Sequence, residues 1–141
     1  MKEVKFFICR HCGNMVELID DHAVPVTCCG TAMERLMPNS TEASREKHIP
    51  VIHCLNGMLT VCIGAQPHPM VPEHYIQWVY VQTENGGMRH NLKPGDAPKT
   101  AFCMCNDPVI AVYAYCNIHG ITYASTVVIS ASFLNCFIID L

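Results

Sequence analysis

Charge is scarce in this chain. Only 15% of its 141 residues are charged, and nine Lys and Arg against twelve Asp and Glu leave a formal net charge of −3. The basic residues are scattered and never clustered, which removes the electrostatic footprint that a nucleic-acid partner needs. Glycine-rich phosphate loops, nucleophile elbows and internal repeats are missing as well. Phosphate cradling, α/β-hydrolase chemistry and repeat scaffolds are therefore excluded. A signal-peptide pattern is lacking: Lys2, Glu3 and Lys5 interrupt the start, and Cys9-Arg10-His11-Cys12 follows at once. No stretch reads as a membrane span. Residues 124–139 carry no charge, but Ser125, Thr126, Ser130, Ser132 and Asn135 interrupt them. A spanning helix needs about 20 predominantly apolar residues, and this stretch is short and rich in β-branched ones. Low charge does not mean disorder here, because half of the residues are apolar. The length suits one ordinary domain plus a small satellite.

Cysteine and histidine are abundant, at ten and eight. Without a secretion pattern, such cysteines read as metal ligands or reduced thiols in a reducing, cytoplasmic compartment.

The first group lies at the start. Lys5-Phe6-Phe7-Ile8 predicts a short strand running into Cys9-Arg10-His11-Cys12-Gly13, a C-x-x-C-G metal knuckle whose glycine relieves the turn. Val16 to Ile19 predicts a second strand, Asp20 to Ala23 a polar turn, and Cys28-Cys29-Gly30 completes four thiols. Two C-x-x-C pairs would read as a zinc ribbon, whereas an adjacent Cys-Cys pair does not. Successive side chains on an extended strand point to opposite faces. Both sulfurs reach one ion only if the backbone kinks. Four thiolates suit zinc or iron equally well on ligand chemistry alone. A module of about 36 residues has too little core to fold without help, so its metal should be part of its stability. His11 and His22 read as surface residues beside the site. Residues 37–44 are polar and proline-interrupted, a linker.

From Val51 the chain breaks into short β-like runs. Val51 to Leu55 and Met58 to Ile63 flank Asn56-Gly57, the strongest short hairpin signal. Tyr75 to Thr83 and Met88 to Leu92 flank Glu84 to Gly87, and Thr100 to Cys105 and Val109 to Tyr115 follow around Asn106-Asp107-Pro108. About seven strands at this spacing predict an antiparallel sandwich.

The second group of ligand-type residues is spread across this region. Cys116 and His119 are three apart, with Gly120 directly after, so a thiolate and an imidazole can reach one ion from a single tight loop. By itself C-x-x-H equally describes a buried cysteine beside a core histidine. His48, His68 and His74 also lie in loop-like stretches, stiffened by Pro50, Pro67, Pro69 and Pro72. Zinc is usually satisfied by four ligands, so four imidazoles and a thiolate point to a redox metal, iron first.

In order and spacing, Glu46-Lys47-His48-Ile49-Pro50, His68-Pro69-Met70, His74-Tyr75-Ile76, Leu92 to Asp96 and Tyr115 to Gly120 resemble the superoxide reductase domain. The N-terminal segment resembles desulforedoxin, so residues 4–120 resemble a desulfoferrodoxin, the two-iron class of superoxide reductase. The resemblance implies a mainly β chain. A rubredoxin- or desulforedoxin-like metal knuckle domain (1–36) precedes an immunoglobulin-like antiparallel β-sandwich (45–123). It implies two iron ions: one on Cys9, Cys12, Cys28 and Cys29 in a distorted site, the other on equatorial His48, His68, His74 and His119 with axial Cys116. Zinc is the alternative occupant of the four-cysteine site. The second iron would keep a sixth position facing solvent, where superoxide takes one electron and two protons and leaves as hydrogen peroxide. Lys47 would attract the anion and position water, and Glu46 would bind the oxidised iron. The implied donor is rubredoxin or a similar small reductant. The apolar tail 124–141 lies beyond the resemblance and is expected to add a strand at a homodimer interface. Two alternatives stand beside this: a pure electron carrier, and a zinc-binding interaction module without redox role.

Other residues are read as structural. His53 is expected on a strand surface or in the core, and His90 in a solvated, turn-rich stretch. Cys103 and Cys105 could bind a soft metal, yet alternate strand residues share a face and usually pack there. Cys54, Cys62 and Cys136 show no ligand spacing, Met70 reads as loop packing, and Ile76, Trp78 and Tyr80 as one core-facing row.

Overall fold

The computed structural model describes residues 3–38 and 48–125. Glu46, Lys47, most of the 37–44 linker, Cys136 and the tail beyond Ser125 lie outside the described residues. The chain divides into two units, Met1–Met37 and Pro38–Leu141.

The first unit is built from two-residue and three-residue strands. β1 (Phe6–Ile8) lies between β2 (Met15–Glu17) and β5 (Glu34–Arg35), while β3 (Thr27–Cys28) pairs with β4 (Thr31–Ala32). Phe6, Ile8, Cys9, Met33 and Leu36 are its buried apolar residues. So few residues form a weak core by themselves. Exposed ion pairs join Lys5 to Asp21 at 2.6 Å and Arg10 to Glu34 at 2.8 Å, and each adds little in water.

The described residues of the second unit form a seven-stranded sandwich. Its strands are β6 (Pro50–Leu55), β7 (Met58–Ile63), β8 (Ile76–Thr83), β9 (Gly87–Asn91), β10 (Lys99–Cys103), β11 (Val109–Cys116) and β12 (Gly120–Ala124). One sheet runs β10-β7-β6 and the other β12-β11-β8-β9, every pairing antiparallel. Asn56 and Gly57 both take positive φ, 51° and 76°, the two-residue turn that joins twisted strands without splaying them. Between the sheets pack Ile52, Leu59, Val61, Val79, Val81, Phe102, Val112 and Ala114.

The expected row on β8 is corrected. Val79 and Val81 lie opposite Ala114 and Val112, whereas Trp78 and Tyr80 lie opposite Tyr115 and Tyr113, on the other face of the sheet. A register shift between Tyr115 and Cys116 pairs Cys116 with Ile76, so Ile76 joins the inter-sheet core and leaves the Trp78 row. Trp78 stacks on Tyr115 with ring centroids 5.4 Å apart. His90 is exposed, as expected of a solvated residue, but it lies on β9 rather than in a turn, stacks on Phe102 at 4.2 Å, and bonds Thr100 Oγ1 through Nδ1 at 2.7 Å. His53 is exposed on β6, and Met70 packs against the core.

Candidate metal centres

Cys9, Cys12, Cys28 and Cys29 come together in the first unit. The Cys9 N–H donates to the carbonyl of Asn14 and the Gly13 N–H to that of Cys9, both at 2.8 Å, so the knuckle closes on itself. The kink that two adjacent cysteines require is a hairpin turn. Cys28 pairs with Thr31, and the intervening Cys29 and Gly30 have φ of 52° and 77°. Cys29 thus leaves the strand in a left-handed conformation that turns its sulfur toward that of Cys28. The sulfurs of Cys12 and Cys28 are 3.6 Å apart and those of Cys28 and Cys29 4.0 Å. A tetrahedral ion at about 2.3 Å from each sulfur demands an edge of about 3.8 Å. All four thiols are free, so the spacing fits an ion rather than disulfides.

The charge balance points the same way. The backbone N–H of Cys12, aided by that of His11, draws the Cys9 thiol down to about 6. The Cys12 sulfur, with burial and Cys28, pushes Cys29 up to about 12 and raises Cys28 as well. Without a cation among them, only part of this set can ionise.

His48, His68, His74, His119 and Cys116 meet in the sandwich, with one ligand atom of each within 4.8 Å of the others. The four imidazoles form a closed ring. Neighbouring centroids lie 4.5 Å (His48–His68), 4.6 Å (His68–His74), 5.0 Å (His74–His119) and 4.4 Å (His119–His48) apart. The His48–His74 diagonal is 6.0 Å, as such a ring requires. Neighbouring rings are tilted by 60° to 80°, so they turn edges rather than faces to the centre.

The nitrogens identify what the centre should hold. Nε2 of His68 and of His74 is buried without a hydrogen-bond partner. A buried polar atom without a partner is costly, and two within one cluster of four histidines and a cysteine fit a cation with imidazole ligands. The Nδ1 of His68 lies 2.6 Å from the Pro69 carbonyl, which can only accept. Nδ1 therefore carries the proton and Nε2 offers its lone pair inward. His119 faces the other way round, with Nδ1 3.6 Å from Cys116 Sγ. Burial pushes the pKa of His68 and of His74 down, toward the neutral form a ligand needs. Cys116 is 1% exposed, whereas His74 and His119 are half-buried. The thiol is the most deeply buried of these ligand-type groups.

Neighbouring elements hold the five in place. Cys116 ends β11, and Gly120, with φ of 80°, opens β12 opposite it. The loop between them is short enough to return His119 beside Cys116. His74 closes a tight turn in which the backbones of Val71 and His74 exchange hydrogen bonds of 3.1 and 3.0 Å. Asn117 ties this turn to the Cys116 loop: its Oδ1 accepts from Tyr75 N–H at 2.9 Å and its Nδ2 donates to the Glu73 carbonyl at 3.0 Å. Thr122, 1% exposed on β12, donates to the His48 carbonyl at 2.7 Å. Sequence reasoning missed both supports. The available signal was an asparagine inside the C-x-x-H loop, since its side chain readily substitutes for backbone partners.

All nine expected metal ligands thus fall into two clusters, while His11, His22, His53 and His90 belong to neither. Both donor sets fit iron: a soft four-thiolate tetrahedron, and an imidazole-rich set with a single thiolate.

Comparison with known proteins agrees. The family profile described as Desulfoferrodoxin matches residues 40–125. A desulfoferrodoxin homolog from Archaeoglobus fulgidus is 40% identical over 122 residues, 86% of this chain and 97% of that protein. The desulfoferrodoxin of Syntrophotalea carbinolica is 37% identical over 120 residues, 85% of this chain and 94% of its own length. The crystal structure of the superoxide reductase from Treponema pallidum superposes with a TM-score of 0.74 at 29% identity, covering 86% of this chain and 97% of that one. With both metal clusters in the expected places and relatives matched over nearly their whole length, the chain belongs to the desulfoferrodoxin family.

Proposed function

We propose that the chain is a superoxide reductase, which adds one electron and two protons to superoxide and releases hydrogen peroxide. One observation carries this reading: the ring of four histidines gathered with the buried Cys116 thiol, in which Nε2 of His68 and of His74 is buried without a hydrogen-bond partner. Iron held by His48, His68, His74, His119 and Cys116 supplies the electron. The residues do the rest. Burial favours the neutral form of His68 and His74, and His68 is locked in one tautomer by Pro69. Cys116, shut away from water, adds a negatively charged sulfur that raises electron density at the metal.

Lys47 and Glu46 precede the first ligand, His48. In this reading Lys47 would attract superoxide and position water for protonation, and Glu46 would supply a carboxylate ligand to the oxidised iron. The net charge of −3 supports a local role for Lys47, because the protein as a whole repels an anion. The four-cysteine centre has every position filled by protein and serves as a second iron that takes no substrate. A rubredoxin-class reductant as donor, a homodimer and a cytoplasmic location complete the reading. Among the described residues no helix is long and apolar enough to cross a membrane.

Metal analysis combined with the visible spectrum tests the proposal. Two irons per chain with thiolate-to-iron bands from both sites are expected, together with bleaching of the second-site band by reductant and its return on a superoxide pulse. Two zincs in a colourless protein would overturn it.

A further inference from the structure

Cys103 and Cys105 stand at the end of the sandwich opposite the histidine ring. β11 separates the two places: it starts at Val109, just after the Cys105 turn, and ends at the ligand Cys116, roughly 23 Å of strand away. Alternate residues on a continuing strand share a face but sit roughly 6.7 Å apart. Here the chain turns instead. β10 ends at Cys103, the Asp107 N–H donates to the Met104 carbonyl at 2.8 Å, and Cys105 and Asn106 take φ of 46° and 63°. The left-handed region is disfavoured for cysteine, whose Cβ crowds the following carbonyl there. Here the consequence is that the two sulfurs lie 3.6 Å apart. The expectation that this pair packs inward is therefore corrected. Met104 is buried, whereas Cys103 and Cys105 are both exposed and free. They border an open cleft of about 300 Å³ shared with Met88, Asn85 and Asp107.

We propose that Cys103 and Cys105 form a dithiol that hydrogen peroxide oxidises to an intrachain disulfide. The Cys103 thiolate attacks one peroxide oxygen and the O–O bond breaks. The leaving hydroxide takes up a proton as water, and Cys103 becomes a sulfenic acid. The Cys105 sulfur then attacks the Cys103 sulfur, the S–O bond breaks, a second water leaves, and the S–S bond forms. In sum, two thiols and one peroxide give one disulfide and two waters, a two-electron exchange. The order of attack follows from the pair itself. A hydrogen bond and charge from Cys103 raise the Cys105 pKa, so Cys105 is the sulfur that keeps its proton and resolves. That the peroxide comes from this protein's own iron centre rests on the superoxide-reducing reading above.

Peptide mapping of the iron-loaded full chain tests this. Trypsin with an Asp-specific protease releases Thr100–Asn106, which contains only these two cysteines. After a few equivalents of added hydrogen peroxide and alkylation of remaining thiols, this peptide should appear unalkylated and lighter by two hydrogens, and a dithiol reductant should restore it. Cys105→Ser should leave a Cys103 sulfenic acid that dimedone traps. Cys103→Ser should slow oxidation of the peptide about 10-fold or more. Recovery of the unchanged dithiol, separate oxidation of each sulfur without a disulfide, or oxidation no faster than at the half-buried Cys62 would each overturn the proposal, and the unmutated chain alone decides these. If added peroxide forms the disulfide but superoxide turnover does not, the dithiol stands and the reading of the iron centre fails.

Discussion

Asn117 and Tyr75 exchange two hydrogen bonds across 42 residues of chain: Asn117 Oδ1 accepts the Tyr75 N–H at 2.9 Å, and the Asn117 N–H donates to the Tyr75 carbonyl at 3.2 Å. One asparagine thereby fixes the loop that carries Cys116 and His119 against the turn that carries His74. Residues that orient metal ligands typically contribute 10–100-fold to metal affinity. Asn117→Ala should weaken iron binding at the histidine centre by roughly that factor, leaving the four-cysteine centre loaded. Chelator competition, with each iron followed at its own absorption band, measures both at once.

Metal removal should act unequally on the two units. The first has five buried apolar residues and several strands of two residues, so its fold depends on the ion. The sandwich keeps its inter-sheet core without metal. Iron-free protein should exchange backbone amides rapidly across residues 3–36 while β7, β8 and β11 stay protected. Cys28→Ser should mimic this locally, because Cys28 lies within 4.0 Å of both the Cys12 and Cys29 sulfurs. Reaction of prereduced second-site iron with superoxide should survive that substitution, since a four-thiolate centre offers no open position. Its abolition would overturn the division of labour between the sites.

How much of this was legible depends on the range of the interaction. Hairpins announced by local turn chemistry, such as Asn56-Gly57, fall where the sequence places them. The nine ligands were legible because residue type and spacing are local signals too, and because the resemblance supplied their grouping. Three features were not. The two-residue strands β3, β4 and β5 have no periodicity to detect. The register shift at Cys116 depends on pairing with β8, and one slipped residue sends Ile76 to the opposite face. The turn after Cys103 depends on backbone conformation at Cys105, a residue type with no special tendency to adopt it.

Gly87 is required by a close approach. A Cβ built on it would lie 2.0 Å from the Tyr80 hydroxyl oxygen and 2.3 Å from the ring carbon bearing it. Tyr80 is 6% exposed and packs edge-on to Tyr113, so its ring has little freedom to retreat. Gly87→Ala should cost about 1–3 kcal/mol of sandwich stability, the usual range for overpacking. Urea denaturation should show a lower midpoint with an unchanged slope, and iron content at both centres should stay the same.

Lys47 tests mechanism rather than metal content. Lysine is no ligand in this reading, so Lys47→Ala should retain both irons. Capture of superoxide should slow, because the anion loses the positive charge that directly precedes His48 in sequence, in a chain whose net charge is −3. Electrostatic steering changes on-rates by roughly 10-fold or more and weakens as salt screens the field. The unmodified protein's capture rate should therefore fall with ionic strength, and that of Lys47→Ala should start lower and depend on salt less. Lys47→Arg should keep most of the steering while its wider, planar head places water less well, so capture should survive better than product release. Pulse radiolysis of the reduced protein and both variants across a salt series separates these effects. An unchanged rate in Lys47→Ala with the same salt slope would remove Lys47 from the mechanism, and the search for the attracting charge would move to Lys93, in the loop where the Gly95 N–H donates to the Met70 carbonyl.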